Sequence, residues 1–463
     1  MTLIDPGVRE KLEGFTFERM GESGTVGLSM AAVEEGEVIY RRGLGFRDFE
    51  RGTSATPETT YCVGSVTKPF TALAVMQLSE GGLLGLDDTV EGYLPFKERP
   101  MGEPVLVRHL LSHSSGFPAL GYAEATLGAI TQTYDAWYPI SSPEDLLVFM
   151  EGAGDWALAR PGECYAYLNE GYILLGSIIE KASGLGYADY VERNILEPLG
   201  MTRSTFHEEA VRRDGDVATP YVTSQEGGKV ATRYPYGKMI SDGGLMSNAG
   251  DMARFLRMLL GGGALEGVRV ASEASVREMM EPKVRTVEEP LGGAGHSHYG
   301  YGLRIKSGFL GRTLVHHSGS VFGSSAYLGL VPGEELGFAI LANGGYFLED
   351  IGEYALALML GEDPMEIPYF RRTRVLDELA GTYRTFRGTS TYGVERRGGI
   401  LELTSSFGRR TYTTPLIPVD LEGEAREFAV YGTYTRTPVQ FIRRGGDTFM
   451  VYERNMARKT GGV

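Results

Sequence analysis

Two pairs of apolar, β-prone runs stand far apart in this chain, and they restrict the fold more than any other feature. Thr25–Val33 and Glu37–Arg42 flank the turn Glu34-Glu35-Gly36, while Ala326–Val331 and Leu336–Leu341 flank Pro332-Gly333. Each pair reads as a hairpin, because a short turn rich in Gly or Pro separates two strand-forming runs. The long stretch between the pairs carries helical periodicity instead, clearest over 170–185 and 248–260. An antiparallel sheet built from both ends of one domain and covered by helices satisfies this pattern, so the expected class is α+β.

The texture changes near residue 368. Pro368–Val375 reads as a linker, and short alternating runs follow, such as Gly381–Phe386, Ile400–Leu403, Phe428–Tyr431 and Thr448–Tyr452. Gly398-Gly399 and Gly445-Gly446 punctuate them, which is the pattern of a small all-β barrel or sandwich. A length of 463 residues is long for one domain. The expected division is 1–368 and 375–463.

Bulk properties narrow the function. A formal net charge of −15 argues against binding a phosphate backbone, so no nucleic-acid partner is expected. No apolar run reaches the roughly 18 residues of a membrane helix, and no basic segment precedes an apolar one at the start, so no membrane partner and a cytoplasmic location are expected. The two cysteines, Cys62 and Cys164, are too few for a disulfide scaffold and are expected as separate buried thiols.

The chemistry begins at Gly64-Ser65-Val66-Thr67-Lys68. The run continues through Pro69-Phe70-Thr71-Ala72-Leu73 to Gly81 as a helix apolar nearly all round, hence buried. Pro69 fits only near a helix start, which puts Ser65 and Lys68 in the first turn and on one face. A serine hydroxyl is a weak nucleophile until a base takes its proton, and a desolvated lysine has the lowered pKa that suits this task. Alone, Ser-x-x-Lys more often marks a capping serine beside a surface lysine.

Further segments give the motif its context. Arg108–Phe117, Tyr167-Leu168-Asn169, Pro198-Leu199-Gly200-Met201, Gly243–Ser247 and His317-Ser318-Gly319 follow in order. This ordered set resembles the penicillin-recognising serine hydrolases, a family that includes class C β-lactamases, D-aminopeptidases and related esterases, over roughly residues 20 to 345. The resemblance implies a β-lactamase/transpeptidase-like sheet flanked by helices, with Ser65 as acyl-accepting nucleophile and no cofactor or metal. Lys68 and Tyr167 then manage the proton, with the lysine's charge lowering the phenol pKa. Asn169 orients the lysine, unless it only caps a helix. His317, on an edge strand, hydrogen-bonds Tyr167 or a substrate carboxylate. The backbone N–H groups of Ser65 and Ser320, next to Gly319, form the oxyanion hole. The carboxy-terminal barrel resembles the lipocalin-like appendage of archaeal-type D-amino-acid peptidases, where it restricts access or assembles a homo-oligomer.

One departure bears on substrate. Many β-lactamases place lysine where His317 stands, and histidine is a weaker, pH-dependent cation, which favours peptidases and esterases over antibiotic hydrolysis. The implied partner is a small peptide or ester, with D-residue peptides or amides first, a carboxylesterase or weak β-lactamase as the alternative, and a non-catalytic penicillin-binding scaffold as the third reading. His316 rivals His317 but lacks its spacing to Gly319. His109 and His113 have the spacing of a zinc pair, with His296 and His298 as further candidates, yet Leu110 stands where a metalloprotease needs Glu. Thr67 also breaks the Gly-x-Ser-x-Gly frame of α/β-hydrolases. Trp137, Trp156, Tyr122, Tyr134 and Tyr138 read either as an aromatic lid or as ordinary packing.

Overall fold

The two hairpins meet. In the computed structural model, which describes residues 4–131, 140–224, 226–234, 236–237, 239–288, 296–345, 348–407 and 410–462, β1 (Gly27–Glu34) and β2 (Glu37–Asp48) form the first hairpin. The second consists of β8 (Ser324–Val331) and β9 (Leu336–Asn343). β1 pairs antiparallel with β9, Ala31 facing Ala339, so the ends of the domain close one sheet. With β3 (Thr53–Ser54), β4 (Val284–Arg285), β5 (Ser297–Tyr299), β6 (Arg304–Phe309) and β7 (Arg312–Val321), the sheet has nine strands in the order β4-β5-β6-β7-β8-β9-β1-β2-β3. β8 and β9 are buried along their whole length, which requires helices on both faces.

Those helices come from the beginning, middle and end of the domain. On one face lie α1 (Pro6–Ser23) and α5 (Glu349–Met359), joined by stacking of Phe15 on Tyr354 at 3.9 Å between ring centroids. The other face receives α2 (Lys68–Glu80) and α4 (Ala249–Leu260), locked by Phe70 stacked on Phe255 at 3.8 Å, with α3 (Asn169–Ser183) beyond them. α2 is buried from Lys68 through Met76, as its apolar sequence requires.

A second unit spans Asp363–Val463. Its strands are β10 (Gly381–Thr385), β11 (Thr391–Arg397), β12 (Ile400–Phe407), β13 (Arg410–Asp420), β14 (Ala425–Tyr431), β15 (Arg436–Arg444), β16 (Asp447–Tyr452) and β17 (Asn455–Gly461). They form a closed barrel in sequence order, because β17 returns to pair with β10, Tyr383 facing Lys459. Closure removes the free edges that such short strands would otherwise expose. Alternate residues, among them Val394, Leu403, Phe428, Val439, Phe441 and Met450, fill the interior.

The segment 368–375 is not a linker. It opens α6 (Pro368–Leu379), with Pro368 in the first turn, where its missing N–H costs nothing. Val375, Leu376 and Leu379 join the barrel core, so the helix belongs to the second unit. Both cysteines are free thiols. Cys62 is buried as expected, but Cys164 is half-buried. Trp156 lies exposed, whereas Trp137, Tyr134 and Tyr138 lie outside the described residues. Among the described residues no helix is long and apolar enough to cross a membrane.

Candidate active site

The residues expected from sequence converge at the start of α2. Ser65 lies in a 3-10 turn, Gly64–Thr67, and Lys68 is the first residue of the helix that continues it. Residues three apart eclipse in a 3-10 turn, so the spacing still stacks the two side chains. Lys68 Nζ lies 3.0 Å from Ser65 Oγ. It also donates to Asn169 Oδ1 at 2.9 Å and to the Asp242 carbonyl oxygen at 2.8 Å. Asn169 begins α3 behind the cap residue Leu168, so its side chain serves Lys68 rather than the helix end.

Burial sets the chemistry of the lysine. Its side chain is fully inaccessible, and desolvation brings its pKa down to about 8, against the opposing pull of Asp242 and Glu170. The ammonium also lies 4.9 Å above the Tyr167 ring centroid and 5.3 Å from that of Tyr172.

Tyr167 does not titrate as expected. Burial raises its phenol above the ordinary value, and contact with Ser65 only partly opposes this. The phenol is therefore neutral, and of the two groups only Lys68 loses its proton near neutral pH.

His317 also differs from expectation. β7 pairs with β6 only as far as His316, so beyond that point it is a local edge within the nine-stranded sheet. The ring bonds Tyr299 rather than Tyr167: Tyr299 Oη lies 2.8 Å from Nε2, and Nδ1 donates to the Ser318 carbonyl at 2.7 Å. With both nitrogens engaged and burial holding its pKa well below the usual range, His317 is a neutral imidazole. His316 points to the opposite face, 3.8 Å from Glu349 of α5. His113 packs among Tyr165, Tyr167, Tyr172 and Tyr299, and its Nδ1 accepts the Leu168 N–H. No group of three or more His, Cys, Asp or Glu side chains is placed to hold a metal ion among the described residues.

Two glycines bring backbone nitrogens together. A Cβ on Gly64 would lie 2.7 Å from the Ser320 nitrogen; one on Gly319 would meet the Val63 carbonyl oxygen and stand 2.9 Å from the Ser65 nitrogen. Strand β7 thus runs hard against the nucleophile turn. Gly319→Ala is expected to force them apart, lowering kcat by about 10²–10³-fold and stability by about 1–3 kcal/mol. Steady-state kinetics beside thermal unfolding checks both. A cavity of about 410 Å³ opens beside Ser65, walled by Tyr122, Asn169, Asp242, Gly243 and Ser320 among others.

Asp242 and Tyr299 join the site beyond the residues expected from sequence. Asp242 stands directly before Gly243-Gly244, a position where an acid is a readable signal. Tyr299 reaches His317 only through sheet register, across β6, and no spacing announces it.

A serine, a buried lysine and a neutral tyrosine on the edge of an antiparallel sheet define the penicillin-recognising class of serine hydrolases. The chain belongs to the beta-lactamase family: residues 12–360 match its family model, and residues 364–458 match the one described as Pab87 octamerisation domain. An octameric penicillin-binding protein homologue from Pyrococcus abyssi is similar at 41% identity, with a TM-score of 0.90 covering 98% of this chain and 100% of that one. A penicillin-binding protein of Bacillus subtilis (strain 168) is 33% identical over 191 residues, 41% of this chain and 40% of that protein. Protein flp of Staphylococcus aureus is 25% identical over 328 residues, 68% of this chain and 59% of that protein. The chain thus spans between 40% and 59% of the length of these curated relatives.

Proposed function

We propose that this protein is a serine peptidase acting through an acyl-enzyme at Ser65 on short peptides or amides, with D-residue substrates foremost. The observation that carries the reading is the buried Lys68 ammonium, 3.0 Å from Ser65 Oγ and holding a pKa of about 8. Ser65 Oγ attacks the carbonyl carbon and passes its proton to neutral Lys68. The oxyanion is received by the Ser65 and Ser320 N–H groups. As the C–N bond breaks, the proton returns through the Tyr167 hydroxyl to the leaving amine. Water, activated by the same lysine, then attacks the ester and frees Ser65. The neutral His317 offers no fixed cation to a β-lactam carboxylate, which argues against efficient antibiotic hydrolysis.

Hydrolysis of matched D- and L-aminoacyl amides beside a short-chain ester tests the substrate class. Cleavage of the D-amide in preference to the L-amide is expected. Turnover of the ester alone would make the protein a carboxylesterase with the same machinery.

The second unit is proposed to assemble copies of the chain, as an octamer like the Pyrococcus abyssi homologue. Its match to an octamerisation domain supports this, as do the exposed rings of Phe386, Tyr431 and Tyr434. A chain ending at Glu362 is expected to sediment as a monomer where the full chain sediments as an octamer. Equal assembly of both would remove the barrel from this role.

A further inference from the structure

A second cavity, of about 490 Å³, lies in the same unit, and its wall shares no residue with the one beside Ser65. Four arginines line it: Arg41 from β2, Arg203, and Arg254 and Arg257 from α4. Gly250, Arg254 and Arg257 are four and three residues apart, which puts them on one helical face. Arg257 donates to the Gly36 carbonyl at 2.6 Å, and Arg254 donates to the Leu199 carbonyl, so both stems are held in place. Two acids, Glu58 and Asp251, also line the cavity. Arg254 and Arg257 share one carboxylate, Glu266, at 2.9 and 2.8 Å, so that trio keeps one positive charge. Arg41 stands 3.6 Å from Glu58 with both side chains about half exposed, which makes a loose pair. Arg203 is bound to Asp214 at 2.6 Å. Asp251 turns its carboxyl to its neighbours, Oδ2 accepting the Arg203 N–H at 3.0 Å and the Ser204 hydroxyl at 2.8 Å.

An independent feature marks the same wall. Asn248 belongs to it and is only 3% exposed. Its Oδ1 accepts the Asp251 N–H at 3.0 Å and so caps α4. Its Nδ2 is buried and has no hydrogen-bond partner among the described residues. A buried donor left unpaired is costly, and an oxygen of a ligand entering the cavity would pair it. Gly250 keeps the approach open: a Cβ there would stand 3.1 Å from Asn248 Oδ1 and 3.4 Å from Arg41 Nη1. The Arg41 guanidinium therefore lies over the first turn of α4, where the helix dipole and the unpaired N–H groups of a helix start favour an anion.

We propose that this cavity binds the phosphoryl group of a small phosphate ester, held by Asn248 Nδ2, Arg41 and the start of α4, with Arg203, Arg254 and Arg257 around it. The donors come from a strand, a loop, a helix cap and a helix face. A tetrahedral phosphate presents oxygens in several directions at once, whereas a carboxylate presents two in one plane. The volume leaves room beyond the phosphate for an organic remainder. The site stands apart from Ser65 and holds whatever substrate the serine takes.

Calorimetric titration of the full chain with glycerol 3-phosphate, inorganic phosphate and citrate, in chloride buffer of matched ionic strength, tests this on wild type, Arg41→Gln and Asn248→Asp. Asn248→Asp keeps the capping oxygen and replaces the unpaired donor by a carboxylate oxygen. Arg41→Gln removes a loosely paired guanidinium that lies outside the catalytic residues described above. Wild type is expected to bind glycerol 3-phosphate saturably with a Kd of about 10⁻⁴ M, inorganic phosphate more weakly and citrate most weakly. Arg41→Gln is expected to weaken glycerol 3-phosphate about 10-fold and Asn248→Asp about 100-fold or more, both with the circular dichroism of wild type. Absence of saturable binding by either phosphate compound would overturn the proposal. Citrate binding more tightly than both would overturn the phosphoryl assignment. Wild-type affinity in Arg41→Gln would overturn the placement, and that arm stands even if Asn248→Asp fails to fold.

Discussion

Ser65→Ala is expected to lower kcat/KM for every amide or ester substrate by at least about 10⁴-fold, while the protein keeps its fold and its thermal midpoint. The size follows from the mechanism. Without Oγ no acyl-enzyme forms, and the remaining oxyanion hole and binding cavity assist only direct attack by water. The neutrality towards stability follows from the surroundings. Ser65 is only partly buried, and its removal leaves Lys68 still donating to Asn169 and to the Asp242 carbonyl. Kinetics and circular dichroism on the same preparation separate loss of catalysis from loss of structure.

Lys68→Met is expected to cost about 10³–10⁴-fold in kcat, the upper part of what general acid–base catalysis supplies, because the same group serves in acylation and deacylation. The methionine stem fills the buried volume, so this variant tests chemistry more cleanly than alanine does. The pH dependence gives a second handle. Lys68 must be neutral to accept the serine proton, so kcat/KM in wild type should rise with pH and level off above about 8. The sign for stability is the same. Burial lowers the folded pKa from 10.5 to about 8, so between those values the unfolded chain binds a proton that the folded chain lacks. The contribution of this group therefore makes stability rise with pH through that window, and below it the buried charge is a constant burden. A rate profile that is flat from pH 6 to 10 would contradict Lys68 as the base.

Much of this site is legible in one dimension because its parts are local. Ser65 and Lys68 share a turn, Tyr167 and Asn169 lie at one helix start, and His317 and Gly319 lie on one strand. Their order along the chain carries the resemblance. The fold is legible for a related reason: each hairpin is closed by a short turn, and the change from helical to alternating periodicity falls close to the barrel. What escaped reading depends on contacts made in three dimensions. Tyr299 engages His317 through the register of β5, β6 and β7, and burial keeps neutral a residue expected to meet Tyr167 or substrate. The phenol of Tyr167 is expected to feel the lysine charge, but with His113 and Tyr299 packed against its ring desolvation dominates. Pro368–Val375 looks like a linker because Pro and three arginines crowd it, yet the apolar positions Val375, Leu376 and Leu379 give one helical face to the barrel core.

The central claim is a covalent intermediate on Ser65. Acid quenching during turnover of a slow D-aminoacyl ester, followed by intact-mass and peptide-mapping spectrometry, tests it directly. An added mass equal to the acyl group is expected on the peptide that contains Ser65, and none in Ser65→Ala. An adduct on another residue, or the same adduct in the variant, would contradict it.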